Sequence, residues 1–268
     1  MFLLPKTQTG ATKHKSQKRE WEVSLVIDTL SKYLDRFVSK PKILEFGSGN
    51  GFQIPPLSKV GYVDASDIYD GIDAQIKKTD DFNFTLCSIY DTPFSDHNFD
   101  IIFSNQVIEH IYELERAFKE IQRIAKPSSL YVFTVPTNHW LLFSIPAIYW
   151  SKSKRYIFRA FSRNSKNKEN FSEPVDSLRP PSKKRGLGGK IWRGITPGGH
   201  GVYPEFLKCY KEFRISAWSK LFTAHGFDIL ETKPLLVYAP SSWPIVPTTS
   251  LFTRFNICSS VLFIMVKK

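Results

Sequence analysis

Apolar residues recur at three- and four-residue spacing at Trp21, Val23, Val26, Leu30, Tyr33, Leu34 and Phe37, which predicts a helix starting near Gln17 with one buried face. The pattern then shifts to short apolar runs. These predict strands at Lys42–Phe46, Tyr62–Ser66, Phe82–Cys87, Phe99–Ser104 and Ser129–Val135. Phe99–Ser104 is apolar on successive positions, as a strand buried on both faces requires. Helical patterns lie between the strands. Phe52–Lys59 is a short one, with Pro55 and Pro56 tolerable only in its first turn. Ile108–Ala125 is strongly amphipathic. After Pro136 the periodicity dissolves, and order resumes at Tyr203. A helix is expected over Phe206–His225, with Gly226 as its stop, followed by strands at Phe227–Tyr238 and Cys258–Val266.

Strands alternating with helices predict an α/β fold, a doubly wound, mostly parallel sheet of seven strands. The chain divides into a mobile basic arm (1–17), a Rossmann-like core (18–138), an aromatic and basic insertion or lid (139–202), and a C-terminal part (203–268) that completes the sheet on the substrate side. The first strand carries the sharpest chemical signal. It runs Ile43-Leu44-Glu45-Phe46-Gly47-Ser48-Gly49-Asn50-Gly51, an apolar strand ending in an acid and breaking into glycines at alternate positions. Glycine permits φ > 0 and close approach of a ligand to the backbone. The dinucleotide fingerprint G-x-G-x-x-G is not met, because Phe52 stands where its third glycine belongs. An acid about 20 residues past the first glycine suits ribose hydroxyls. Asp67 lies at that distance from Gly47, and Asp64 is the alternative.

The E-x-G-x-G-x-G stretch resembles motif I of the class I S-adenosylmethionine (SAM) dependent methyltransferases. Three further segments fall in the family's order: Val63–Ile68, Leu86–Asp100 and Ser104–Ile111. The resemblance covers roughly the first half of the chain and implies the Rossmann-like methyltransferase fold with SAM as cofactor. It places Glu45, Gly47, Ser48, Gly49, Gly51, Asp67, Ile68, Ser88, Ile89, Asn105 and Gln106 around the cofactor. Ser88 stands where the family usually has an acid, which weakens its expected bond to the adenine amine. The Asn/Asp-Pro-Pro-Tyr motif of amino-nitrogen methylation is replaced here by Ser104-Asn105-Gln106-Val107. The expected activity is methyl transfer to a small-molecule, sugar, glycan or lipid-linked acceptor, at oxygen, as in polysaccharide or lipid biosynthesis. A hydroxyl acceptor calls for a base, and His200, His139 and His110 are the candidates. No metal is expected.

Charge changes the picture in one place. The net charge is +12, and the segment from Lys152 to Arg193 alone holds thirteen Lys and Arg against three Asp and Glu. The basic character therefore belongs to the insertion and not to the core. Aromatic residues mix with cations over 140–163, which suits a peripheral membrane contact or a lipid-linked acceptor. RNA contact through 152–193 is an alternative, and a non-catalytic binding protein on the same fold is another. Three widely spaced cysteines, no signal-peptide pattern and no long apolar run point to the reducing cytoplasm.

Overall fold

A computed structural model describes residues 10–78, 82–146, 149, 199–238, 246–247 and 255–268. The basic segment 152–193 and most of the insertion lie outside these residues. So do residues 1–9 of the expected arm. The first helix, α1 (Gly10–Leu30), begins earlier than near Gln17, and a 3-10 turn (Ser31–Arg36) follows it.

Five strands, β1 (Lys42–Phe46), β2 (Tyr62–Asp67), β3 (Phe82–Leu86), β4 (Phe99–Asn105) and β5 (Ala125–Pro136), pair in parallel. Of the C-terminal strands, β6 (Phe227–Pro234) forms one edge, and β9 (Ser260–Lys267) inserts antiparallel between β5 and β6. The order is β3-β2-β1-β4-β5-β9-β6, the expected seven-stranded, mostly parallel sheet. A separate two-stranded pair joins β7 (Leu236–Val237) to β8 (Val246–Pro247).

Both faces of the sheet are covered, so the central strands are apolar on successive residues. On one face, α3 (Leu114–Ile124) and the C-terminal helices pack Phe118, Trp218 and Phe222 against Phe133, Phe227 and Phe263. On the other, α1 and α2 (Ile54–Ser58) pack Val26, Leu30, Ile54 and Leu57 against Ile43, Ile101 and Ile264. The chain steps outward from β1 to β3 and returns to β4. The carboxyl ends of β1 and β4 therefore flank a topological switch point, where open α/β sheets bind ligands.

Two expected helices are broken. The Ile108–Ala125 pattern is a 3-10 turn (Ile108–His110) followed by α3, because Ile111 adopts an extended backbone (φ −87°, ψ 120°). The apolar spacing is the same either way, so periodicity does not reveal the break. The Phe206–His225 pattern is two helices, α5 (Phe206–Glu212) and α6 (Ile215–Ala224), with extended Arg214 between them. The Phe213 carbonyl leaves the helical ladder to accept the Asn138 N–H at 2.9 Å. Residues 138–146 form the helical stretch α4. Among the described residues no helix is long and apolar enough to cross a membrane.

Candidate active site

A cavity of about 1050 Å³ opens at the switch point. Its walls are the glycine turn (Gly47–Asn50), the end of β2 with the loop after it (Ser66–Tyr69), the loop after β3 (Cys87–Tyr90) and the end of β4 with the loop after it (Asn105–Val107, His110–Tyr112). Gln53 and three α1 residues, Lys18, Arg19 and Glu22, close it.

The turn is built as its glycines require. Gly47 has φ +71°, and a Cβ there would lie 2.4 Å from Val107 Cγ2, so β1 and the β4 loop can meet only over a glycine. At Gly49 a Cβ would meet nothing within 4 Å. Its N–H donates to Asp67 Oδ2 at 2.8 Å, and Asp67 Oδ1 accepts the Ile68 N–H at 2.7 Å. Asp67 thus ties the turn to the end of β2 while facing the cavity. Asp64 does not reach it. Its carboxylate accepts from Asn83 Nδ2 (2.7 Å), pairs with Lys42 Nζ (3.1 Å) and lines a different cleft.

Glu45 lies one layer below the cavity and is fully buried. Its Oε1 accepts from Gln53 Nε2 at 2.8 Å, and burial pushes its carboxyl up to about 8. Gln53 Oε1 in turn accepts from Asn105 Nδ2 at 2.6 Å, and Asn105 Oδ1 accepts the Thr134 hydroxyl. A chain of amides therefore runs from β5 through β4 to β1 beneath the cavity. Asn105 spends its oxygen and one N–H in this wall.

Ser48, Ile68, Ser88, Ile89 and Gln106 all line the cavity, as does Gly49. Ser48 Oγ and Gln106 Nε2 are buried without a hydrogen-bond partner. Gln106 also has φ +58°, an uncommon conformation for a side-chain-bearing residue. Strain and orphaned donors at one wall point to a ligand that supplies acceptors.

The three histidines separate. His110 lines the cavity, and its ring lies edge-on to His200, centroids 4.9 Å apart. Both approach buried Glu109, with Nε2 to Oε1 separations of 3.9 Å for His110 and 4.0 Å for His200. Burial, with His110 beside it, pulls His200 down to about 4, so its imidazole is neutral at pH 7. His139 stacks on Phe143 at the start of α4 and is not among the cavity residues.

Sequence reasoning missed Gln53, Val107, Lys18 and Glu22. For the α1 pair a signal existed: two charged residues four apart, of which Glu22 is 1% exposed and bonded to Ser260 Oγ.

Residues 44–133 match the family model for a methyltransferase domain. An uncharacterised methyltransferase of Schizosaccharomyces pombe is 26% identical over 134 residues, 44% of this chain and 47% of that protein. The chain thus spans about half the length of that curated relative. Among solved structures, one similar chain belongs to the complex between the Haloferax volcanii Trm112 methyltransferase activator and a methyltransferase. It is 14% identical, with a TM-score of 0.51 over 96% of this chain and 93% of that one. The CurJ carbon methyltransferase also gives a TM-score of 0.51, at 11% identity over 97% of this chain and 56% of that one. At these identities the structures share the fold. Residues 44–133 are thus similar to the methyltransferase domain of SAM-dependent enzymes, and that family implies SAM as cofactor.

Proposed function

We propose that the protein transfers the methyl group of SAM to an oxygen of a small-molecule, glycan or lipid-linked acceptor. One observation carries the reading: a single cavity is lined by a nucleotide-type cradle with orphaned donors and by His110, with His200 packed behind it. SAM supplies an electrophilic methyl group on a sulfonium, so the protein's work is to position, to desolvate and to handle one proton.

Asp67 retains acceptor capacity for ribose hydroxyls beyond its bonds to the turn. Ser88 and the Ile89 backbone suit the adenine edge, and Ile68 and Ile89 add apolar walls. The Ser48 hydroxyl and Gln106 amide suit a carboxylate, the group at the methionyl end. Glu45 and Asn105 act through Gln53, holding the floor in place. On the acceptor side, neutral His200 and its neighbour His110 can accept the hydrogen of an incoming hydroxyl. His139 has no part in this reading.

Incubating the full chain and methyl-labelled SAM with fractionated cell extract tests the proposal. Label should enter a lipid or low-mass glycan fraction. Label in RNA, with none in those fractions, would overturn the acceptor class and favour the basic segment as an RNA contact.

A further inference from the structure

The Glu109 carboxyl is the least explained polar group near the cavity. It is 1% exposed, and neither oxygen has a hydrogen-bond partner. A buried carboxyl with no donor to either oxygen is costly and calls for an explanation. Two imidazole nitrogens point the same way: one ligand atom each from Glu109, His110 and His200 lies within 4.8 Å of the others.

We infer that Glu109, His110 and His200 form a binding site for one divalent transition-metal cation at the edge of the cavity. The inference rests on the acceptor-site reading above and gives the histidine pair a more specific task.

The site is preorganised across 90 residues of sequence. Gly201 has φ +59°, and a Cβ there would lie 2.0 Å from the Glu109 carbonyl oxygen. Only glycine lets the 199–203 turn press this closely on the Ile108–His110 turn. The Val202 N–H donates to the same carbonyl at 2.9 Å, and Trp140 packs on the His200 ring with centroids 4.7 Å apart. Metal ligands bound at about 2.0–2.1 Å in a tetrahedral set stand roughly 3.4 Å apart. The two Glu109–His separations of 3.9 and 4.0 Å need close by only about half an ångström to reach that spacing.

The donor set also narrows the ion. Two imidazoles and one carboxylate suit Zn²⁺ and its transition-metal neighbours, with a fourth position open. Mg²⁺ and Ca²⁺ prefer all-oxygen shells. His110 lies in the cavity wall, so the site borders the cavity. A cation held there would lower the pKa of a hydroxyl bound beside it. The hydroxyl proton would then leave to solvent water, and the imidazoles would serve as ligands instead of taking it up themselves.

Calorimetric titration of the tag-free full chain with Zn²⁺ tests this. One ion should bind per chain. Glu109→Gln and His200→Asn should each weaken Zn²⁺ binding by at least about tenfold, since even outer-shell partners cost 10–100-fold. SAM binding by the same preparations should change by less than about twofold, which also shows that the variants fold. No stoichiometric Zn²⁺ binding, or binding unchanged in both variants, overturns the inference. Co²⁺ in the wild-type chain gives a check that needs no variant. Histidine and carboxylate ligation shows d–d bands without an intense thiolate band, and a thiolate band would assign the ion to a cysteine such as Cys209. If Zn²⁺ binds as described and SAM does not, the metal site stands and the methyl-transfer reading falls.

Discussion

Asp67 and Asp64 differ by three positions on one strand, and the fold gives them different work. Asp67 holds the amides of Gly49 and Ile68 inside the cavity, while Asp64 pairs with Lys42 outside it. Hydrogen bonds to charged groups contribute about 1.5–3 kcal/mol. Asp67→Ala should therefore weaken SAM binding roughly 10- to 100-fold, and Asp64→Ala should leave it within about twofold. Paired calorimetric titrations of the two variants decide this, and a larger loss at Asp64 would contradict the assignment. The glycine turn and the acid at the end of β2 were legible because φ > 0 and a fixed spacing leave marks in sequence. Gln53 was not legible. It does its work through partners on three strands, and side-chain networks of that kind have no period.

At the scale of elements, the loop after β3 owes its position to α3. Glu120 on α3 accepts from the Thr92 N–H and hydroxyl at 2.9 and 2.7 Å. Arg123 joins it and also reaches Asp96 and the Phe94 carbonyl, so the loop carrying Ser88 and Ile89 is pinned four residues downstream. The Arg123 guanidinium, with lesser help from Thr92, holds the Glu120 carboxyl down at about 2. A carboxyl depressed on folding stabilises the fold above its ordinary pKa and loses that contribution as pH falls through its folded value. Glu120→Gln should cost about 1–2 kcal/mol at pH 7, allowing for the partial exposure of Arg123. The gap from wild type should shrink between pH 4.5 and about 2 in denaturant titrations. A gap that stays constant with pH would contradict the ionic role. The strands themselves were readable from their apolar runs. The breaks at Ile111 and Phe213–Arg214 were not, because tertiary contacts such as Asn138 N–H to Phe213 O set them without disturbing the apolar spacing.

At the scale of the molecule, two chemistries meet at one edge of the sheet. The residues proposed to hold the cofactor lie within 45–106, a continuous stretch whose order is written in the sequence. The histidine pair joins His110 to His200 across the basic insertion, so no local pattern could announce it. His139 illustrates the limit, since it follows β5 at the same sheet edge yet packs on Phe143. The cavity at the switch point is proposed to bind SAM, and Gly49 is the position at which to test it. A side chain there enters open space, and the turn's φ of +56° costs a substituted residue about 1 kcal/mol, which the fold should survive. Calorimetry of the full chain should show one saturable site for SAM and for its demethylated product, and Gly49→Arg should weaken both by at least about tenfold with the fold intact by circular dichroism. Absence of saturable binding of either ligand to the wild-type chain, or equal affinity in Gly49→Arg, would contradict the account.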